Sequence, residues 1–219
     1  MIRHTLSPIL FAVVFVFMLP CFARAQSDLP TGHPPVSTPS GPSLPPQHPD
    51  TTRPPAPVDA LADLPAADPE DVISIDAITS AYYDTISGPK GTARNWARFR
   101  TLFLPTATLS TTRPAGDGKV VLTITVDQFI DMNRTYFERG GYHESQISAQ
   151  TNAFGSIASV FSTYESRFGS PHAKPHARGI NSFQLINADG RWWITCINWA
   201  SERPDQPIPT EYLPGQSKP

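Results

Sequence analysis

The chain has 219 residues, of which 39% are hydrophobic, with 17 basic and 19 acidic residues and a formal net charge of −2. This length fits one domain with extensions rather than several domains. A chain with so little positive charge has no basic stripe to neutralise phosphates, which argues against nucleic acid as a partner.

Residues 1–25 have the pattern of a secretory signal peptide. Arg3 begins a basic segment, Ile9 to Leu19 form an apolar stretch, and Ala23-Arg24-Ala25 is a small-residue cleavage site. The apolar stretch is shorter than the roughly 20 residues of a membrane-spanning helix, so a retained membrane anchor is the weaker alternative. The sequence therefore predicts a periplasmic or secreted protein with no stable membrane span after cleavage.

Cleavage after Ala25 would change both the cysteine content and the charge. It would remove Cys21 and leave Cys196 without an intramolecular disulfide partner, so the fold is expected to depend on its core. It would also remove two arginines and no acidic residue, which leaves 15 basic and 19 acidic residues and a net charge of −4.

Residues 26–70 have the composition of a linker. Proline recurs among Ser, Thr, Gly and Asp, and large apolar residues are scarce. Such a segment cannot bury enough apolar surface to offset the entropy lost on ordering, and its prolines favour a semi-rigid spacer. A tether, a proline-rich ligand for another domain and a featureless tail all fit this composition.

The pattern beyond residue 70 predicts two helices, two strands, a third helix and four strands. Asp68-Pro69 begins the first helix and Gly88-Pro89 ends it. The predicted elements are helices near 68–87 and 93–103, strands 106–112 and 119–125, a helix over 126–139, strands 143–152 and 156–167, and a final hairpin over 178–203. This order predicts an α+β domain over 71–203, with helices on one face of a curved antiparallel sheet, and a C-terminal tail over 204–219.

The final hairpin is rich in aromatic residues on its second strand. The turn Asn187-Ala188-Asp189-Gly190 places a glycine where a positive φ is needed. Strict alternation assigns Trp193, Thr195, Ile197 and Trp199 to one face, and Trp192, Ile194, Cys196 and Asn198 to the other. Because both sets are apolar, we expect helices on one face and a partner subunit on the other, in a homodimer with Cys196 buried as a small hydrophobe.

Three stretches resemble the NTF2-like (SnoaL-like) superfamily. They are Trp96-x-x-Phe99-x-x-Leu102-Phe103-x-x-x-Ala107-x-Leu109, Gly155-x-Ile157-Ala158-x-Val160 and Asp189-Gly190-x-Trp192-Trp193. The run Val160-Phe161-Ser162-Thr163-Tyr164-Glu165-Ser166-Arg167 is similar, more narrowly, to an uncharacterised bacterial secreted branch. The resemblance implies a cone in which a curved antiparallel sheet wraps around three helices. The fold hosts isomerases, dehydratases, hydrolases, binding proteins and assembly modules, so it does not specify a function.

The sequence departs from the steroid-isomerase members of that superfamily. Those members carry a general-base carboxylate just after the second helix, and the corresponding position here is Thr111. A threonine cannot act as a base near neutral pH, so that chemistry is not supported. Tyr82 or Tyr83 on the first helix remains a candidate hydrogen-bond donor.

Two positions are candidate acid–base groups. Glu165 lies within a strand next to apolar neighbours, where burial would raise its pKa, and the alternatives are a charge that faces solvent or a pair with Arg167 or Arg178. His143 precedes Glu144 at the start of a strand, and neighbouring strand residues point to opposite faces. Only one of that pair can therefore face a cavity, and an exposed pair at the strand end is the alternative.

The remaining candidates are ligand-binding groups. Arg178 suits a ligand carboxylate or phosphate, with an intramolecular pair to Glu165 or Glu202 as the alternative. The predicted lining consists of Tyr82, Trp96, Glu165, Arg178, Asn181 and Trp199. His172 and His176 lie in a proline-broken loop that favours a cover over the cavity mouth rather than a metal site.

These features leave three hypotheses for function. The first is a binding protein for a small apolar or amphipathic ligand. The second is an isomerase- or hydrolase-like enzyme in which Glu165 or His143, assisted by Tyr82, moves a proton. The third is a dimeric assembly module. No phosphate loop, nucleophile elbow or zinc-spaced cluster appears in the sequence, and we expect no metal or cofactor.

Overall fold

The computed structural model describes residue 64 and residues 66–215. The predicted signal peptide over 1–25, nearly all of the predicted linker over 26–70 and the last four residues of the predicted tail lie outside the described residues. Within the described part of the chain, no helix is both long enough and apolar enough to span a membrane.

The helical layer begins at residue 69 and returns between the second and third strands. Its members are α1 (Pro69–Val72), α2 (Ile75–Ile86), α3 (Trp96–Thr101) and α4 (Val126–Gly140). The predicted first helix is divided because the Ser74 side chain accepts a hydrogen bond from the Ala77 amide and starts a new helix there. The α4 helix begins with a capping box between Thr125 and Gln128, close to its predicted start.

Six strands form one sheet in the order β2-β1-β6-β5-β4-β3. They are β1 (Phe103–Ala115), β2 (Gly118–Thr125), β3 (Tyr142–Phe154), β4 (Ile157–Phe168), β5 (Ala177–Ala188) and β6 (Arg191–Ser201). The β1–β6 pair is parallel and the other pairs are antiparallel. The predicted α+β fold, with a sheet curved around helices, is confirmed. The sheet is mixed rather than antiparallel throughout, because β1 lies parallel to β6, the last strand of the β3–β6 meander.

The core lies between the helices and the inner face of the sheet. Ile78, Phe99, Ile130, Phe183 and Ile197 are completely buried there. The Phe99 ring packs at 4.8 Å from Phe103 and stacks at 5.6 Å from Phe129. This aromatic packing holds α3 and α4 against the sheet, as the predicted helix faces require.

A bulge in β6 changes which residues face the core. Cys196 pairs with Gln184 while Ile194 pairs with Leu185, so Thr195 is an extra residue. The extra residue shifts the alternation by one position. The inner set is therefore Trp192, Ile194, Ile197 and Trp199, whereas Trp193 lies outside the core cluster beneath the Arg191 guanidinium. The strict alternation predicted from the sequence is wrong beyond Thr195, and Cys196 is half-buried rather than buried.

Part of the outer face of the sheet is covered by residues 202–213, here called the C-terminal segment. The Tyr212 ring packs at 4.8 Å from the Phe161 ring, and the Thr163 hydroxyl donates to the Tyr212 carbonyl at 2.7 Å. Ile208 of this segment is buried. The chain itself therefore supplies part of the cover that the sequence assigned to a partner subunit, and the homodimer stays a prediction.

Arg94 connects the loop after α2 to the junction between α4 and β3. The side chain is buried, and its five N–H groups lie within hydrogen-bond distance of six backbone carbonyl oxygens, three of which share Nη2. These acceptors are Ile86 at 3.1 Å, Gly88 at 2.6 Å, Pro89 at 3.3 Å, Thr92 at 2.6 Å, Phe137 at 3.1 Å and Tyr142 at 3.3 Å. The positive charge is thus used to hold the backbone that borders the cavity described next.

Candidate functional site

A cavity of about 290 Å³ lies between α2, α4 and the inner face of the sheet. Aromatic rings dominate its walls, contributed by Tyr82, Phe129, Phe137, Tyr142, Tyr164 and Trp199. At its rim are Tyr136, Phe168 and His176, with the Phe168 and His176 rings 5.0 Å apart. This is the concave, mostly apolar shape in which proteins hold small molecules.

Glu144 of β3 supplies the one carboxyl group among the lining residues of this cavity. The alternation of β3 places Glu144 on the same face as Tyr142, whose hydroxyl donates to Glu144 Oε2. On the other side, the Asn181 side-chain amide donates to Glu144 Oε1 at 3.1 Å. Two donors, Tyr142 from the same strand and Asn181 from β5, therefore fix the orientation of the carboxyl group.

The charge of this carboxyl group is poorly compensated. Burial raises the pKa of Glu144 to about 7, and the hydrogen bonds from Tyr142 and Asn181 offset only part of that rise. No lysine or arginine is among the residues that line the cavity in the described part of the chain. Glu144 therefore changes its protonation state near neutral pH, while it remains held in one orientation.

Hydroxyl groups surround Glu144 on three elements. Burial and the charge of Glu144 raise the pKa of Tyr82 and Tyr83 well above the usual range, and raise the pKa of Tyr164 to about 12. These hydroxyls keep their protons at neutral pH and can donate. Gly179 leaves room for the Tyr164 hydroxyl, since a Cβ there would overlap it.

A second hydrogen-bond chain runs behind the carboxyl group. The Asn181 amide also donates to the Tyr83 hydroxyl at 3.2 Å, and that hydroxyl lies 2.7 Å from the Ser162 hydroxyl. Ser162 in turn donates to Gln146 Oε1 at 2.7 Å. This buried chain joins α2, β3, β4 and β5, so the position of Asn181 beside Glu144 is set by several elements.

The structure brings together three of the residues that the sequence predicts for the lining. Tyr82, Asn181 and Trp199 all line the cavity that contains Glu144. Trp96 does not line it, because its ring stacks behind the wall at 6.3 Å from Phe137.

Glu165 and Arg178 lie on the outer face of the sheet, away from this cavity. The alternation of β4 turns Ser162, Tyr164 and Ser166 inward and therefore turns Glu165 outward. Glu165 pairs with Arg167 at 2.5 Å, and Arg178 pairs with Glu202 through two contacts of 2.8 and 3.1 Å. These are the intramolecular pairs that were the alternatives to a ligand-binding role.

A larger hollow of about 610 Å³ surrounds these outer groups. Glu165, Arg178, Glu202 and His176 are among its lining residues, and it is open to solvent. Arg178 lowers the pKa of Glu202, as expected of an ion pair. Because Glu165, Arg178 and Glu202 are already paired within the chain, this hollow is a weaker candidate for a binding site despite its size.

The side chain of His143 points to the opposite face of β3 from that of Glu144. It lies in a second hollow, which Ser87, Arg167 and Glu144 itself also line. Burial, with a smaller effect of Arg94, lowers the pKa of His143. Strand alternation predicts that only one of His143 and Glu144 can face the cavity, but the sequence does not indicate that it is Glu144. The alternation with Tyr142 was the available signal, because a large aromatic residue two positions earlier marks the buried face.

The described residues contain no group of three or more His, Cys, Asp or Glu side chains that could hold a metal ion. His172 and His176 lie in the loop between β4 and β5, and both are exposed. His176 reaches the cavity rim, whereas His172 is not among its lining residues.

Comparisons with known proteins extend the description of the fold. No family model matches the chain, and no curated protein matches it. Among solved structures, an NTF2-like protein of unknown function from Shewanella baltica OS155 is 17% identical and has a TM-score of 0.43, over 59% of this chain and 91% of that chain. A protein of unknown function with a cystatin-like fold from Nostoc punctiforme is 11% identical, with a TM-score of 0.45 over 62% and 92% of the two chains.

The association domain of CaMKII from C. elegans is also similar, at 18% identity and a TM-score of 0.42 over 57% of this chain and 92% of that chain. All three scores lie below 0.5, so these likenesses carry no argument about function. In the described residues, one curved sheet wraps around the helices and leaves a cavity between them.

Proposed function

We propose that the chain is a periplasmic or secreted NTF2-like protein whose cavity binds a small, largely apolar molecule with one hydrogen-bonding group. The observation that carries this proposal is the aromatic cavity of about 290 Å³ with the fixed Glu144 carboxyl group in its wall. The apolar body of the ligand would contact the rings, and its polar group would contact Glu144.

An enzyme that uses the same cavity is the second candidate. The supporting observation is the pKa of Glu144, which burial raises to about 7, the range suited to general acid–base catalysis. Glu165 and His143, the groups that the sequence favoured for this role, do not line the cavity. We favour binding because both Glu144 oxygens already accept hydrogen bonds, which suits a fixed anchor.

The assembly module is the least supported of the three hypotheses. A cone that acted only as an assembly surface would be expected to have a filled interior. Here the interior retains a cavity with a polar group held in its wall.

The test uses the full chain expressed with its own leader and recovered from the periplasm or medium, so that its intact mass also reports cleavage after Ala25. The probe is 2-naphthylmethanol, a fluorescent apolar molecule with one hydroxyl group, and titration is expected to show saturable binding at one site. Leu122→Trp places a larger side chain in the cavity wall and is expected to weaken binding about tenfold or more.

Val121→Trp is the matched control, because Val121 is the adjacent residue of β2 and is 74% exposed on the opposite face. It is expected to leave the affinity unchanged. An equal effect of both substitutions, or absence of saturable binding by the alcohol and by its amine and carboxylate analogues, would contradict the proposal. Thermal unfolding of both variants establishes that each is folded before affinities are compared.

A further inference from the structure

Among the residues that the structure describes, the cavity wall contains an acidic group without a strongly basic group to balance it. Glu144 contributes a carboxyl group, and the described lining contains no lysine or arginine to balance it. His176 is the one lining residue with a basic side chain, and it lies exposed at the rim. Arg98, which is outside the lining, is paired with Asp71 at 2.7 Å.

The groups that face Glu144 inside this cavity are uncharged at neutral pH. Glu144 also lines the second hollow with Arg167, but Arg167 is already paired with Glu165 there. Tyr82 and Tyr83 on α2, Tyr142 on its own strand and Tyr164 on β4 all have raised pKa values, so they remain neutral phenols. Asn181 on β5 is a neutral amide. An ionised Glu144 therefore has hydrogen bonds in the empty cavity, but no opposite charge.

The aromatic walls also favour a positively charged ligand. The face of an aromatic ring carries partial negative charge, which attracts cations. Phe137 and Tyr142 stack at 4.2 Å, and Phe129 and Trp199 meet edge to face at 6.5 Å, so the rings form continuous walls. A carboxylate inside aromatic walls is the chemistry that suits an organic cation.

We infer that the ligand is an organic cation, a protonated amine on a small apolar body, with its ammonium group paired to Glu144 and its body against the aromatic walls. The inference rests on the proposed binding function and names the chemical class of its ligand. A neutral alcohol would leave an ionised Glu144 without an opposite charge. A carboxylate ligand would be repelled by Glu144, and no lysine or arginine of the described lining would bind it.

Three probes with the same ring system and different charge test this class. They are 2-naphthylmethylamine, 2-naphthylmethanol and 2-naphthoate, titrated into the full chain at about pH 8, where Glu144 is ionised and the amine is still protonated. The amine is expected to bind about tenfold more tightly than the alcohol, and the naphthoate most weakly.

Glu144→Gln removes the charge with little change in shape, so the advantage of the amine over the alcohol is expected to fall to about threefold or less. Retained binding of the alcohol shows that this variant is folded and that its cavity is intact. Glu165→Gln is the control, because it removes one carboxylate from the outer face and leaves the cavity unchanged. It is expected to retain the full advantage of the amine.

The possible outcomes separate the two proposals. Saturable binding of the alcohol with no advantage for the amine would overturn the inference and leave the binding function supported. The inference would also be overturned if the amine lost its advantage over the alcohol in Glu165→Gln as well. The preference would then depend on the overall negative charge of the protein rather than on Glu144. If none of the three probes bound, the binding function itself would fail.

Discussion

At the scale of single residues, Glu144 determines the chemistry of the cavity. The residue is placed by strand alternation, oriented by Tyr142 and Asn181, and left without a cation. Its neighbours compensate its charge only in part, so burial raises its pKa to about 7. Such a group stabilises the folded chain in its protonated form and opposes folding when it is ionised.

The free energy of unfolding is therefore expected to fall as pH rises. The pKa of Glu144 is raised from 4.5 in an unfolded chain to about 7 in the folded one, so the folded state binds this proton more tightly. The stabilising contribution of Glu144 to the free energy of unfolding is fully present below about pH 4.5 and is lost as pH rises through about 7. It amounts to at most about 3 kcal/mol, less where cavity water screens the charge. Urea unfolding at about pH 5 and about pH 8 measures it.

Glu144→Gln isolates this effect from the other titrating groups. The lowered pKa of His143 acts in the opposite direction, because its contribution to stability rises with pH toward its unfolded value of 6.5. The lowered pKa of Glu202 gives stability that is lost only below about pH 4.5. The difference in unfolding free energy between the wild type and Glu144→Gln is therefore expected to fall as pH rises. An unchanged pH dependence in Glu144→Gln would show that Glu144 is not the group responsible.

At the scale of the elements, Arg94 joins the helical layer to the sheet. Its guanidinium has five N–H donors within reach of six carbonyl oxygens, whereas a lysine ammonium has three donors and no planar geometry. Arg94→Lys would leave several buried carbonyls unpaired and is expected to lower the free energy of unfolding by about 3 kcal/mol. Urea unfolding measures the loss.

Arg100→Lys is the control for this substitution. Arg100 pairs with Asp127 at 2.7 Å, but both side chains are largely exposed, so the change should cost about 0.5 kcal/mol or less. Equal losses from both substitutions would contradict a special role for the buried guanidinium.

The elements also show how far the sequence predicts the fold. The turn at Asp189 and Gly190 has positive φ at both residues, and composition alone indicated it. Existence and order of the helices and strands followed from apolar periodicity. The bulge at Thr195 could not be predicted, because it depends on hydrogen bonding with β5 and leaves no signature in the local pattern of β6.

The site was less predictable than the elements for the same reason. Asn181, Tyr82 and Trp199 were identified from position, but the sequence favoured Glu165 where the structure places Glu144. A strand residue is assigned to a face only when the register of its neighbours is known. The C-terminal segment adds a second difficulty, because its cover makes residues on the outer face, such as Thr163, as buried as those in the core.

At the scale of the whole molecule, the homodimer stays a prediction, and the C-terminal segment limits where it can form. That segment occupies the outer face around Phe161, so the uncovered apolar surface lies at the other end of the sheet. There Phe154 and Ile157 pair across the β3–β4 hairpin and are 85% and 57% exposed. Exposed apolar residues side by side on a sheet are typical of an interface.

The full chain is expected to be a dimer by light scattering after size exclusion, with this hairpin in the interface. Phe154→Asp would bury a charge there and is expected to raise the dissociation constant of the dimer about tenfold or more. Ile73→Asp changes an apolar residue that is 69% exposed beside α2, away from the sheet, and should leave the dimer intact. A monomer at every concentration would exclude the homodimer. A dimer unaffected by Phe154→Asp would place the interface elsewhere, and the apolar hairpin would then need another partner.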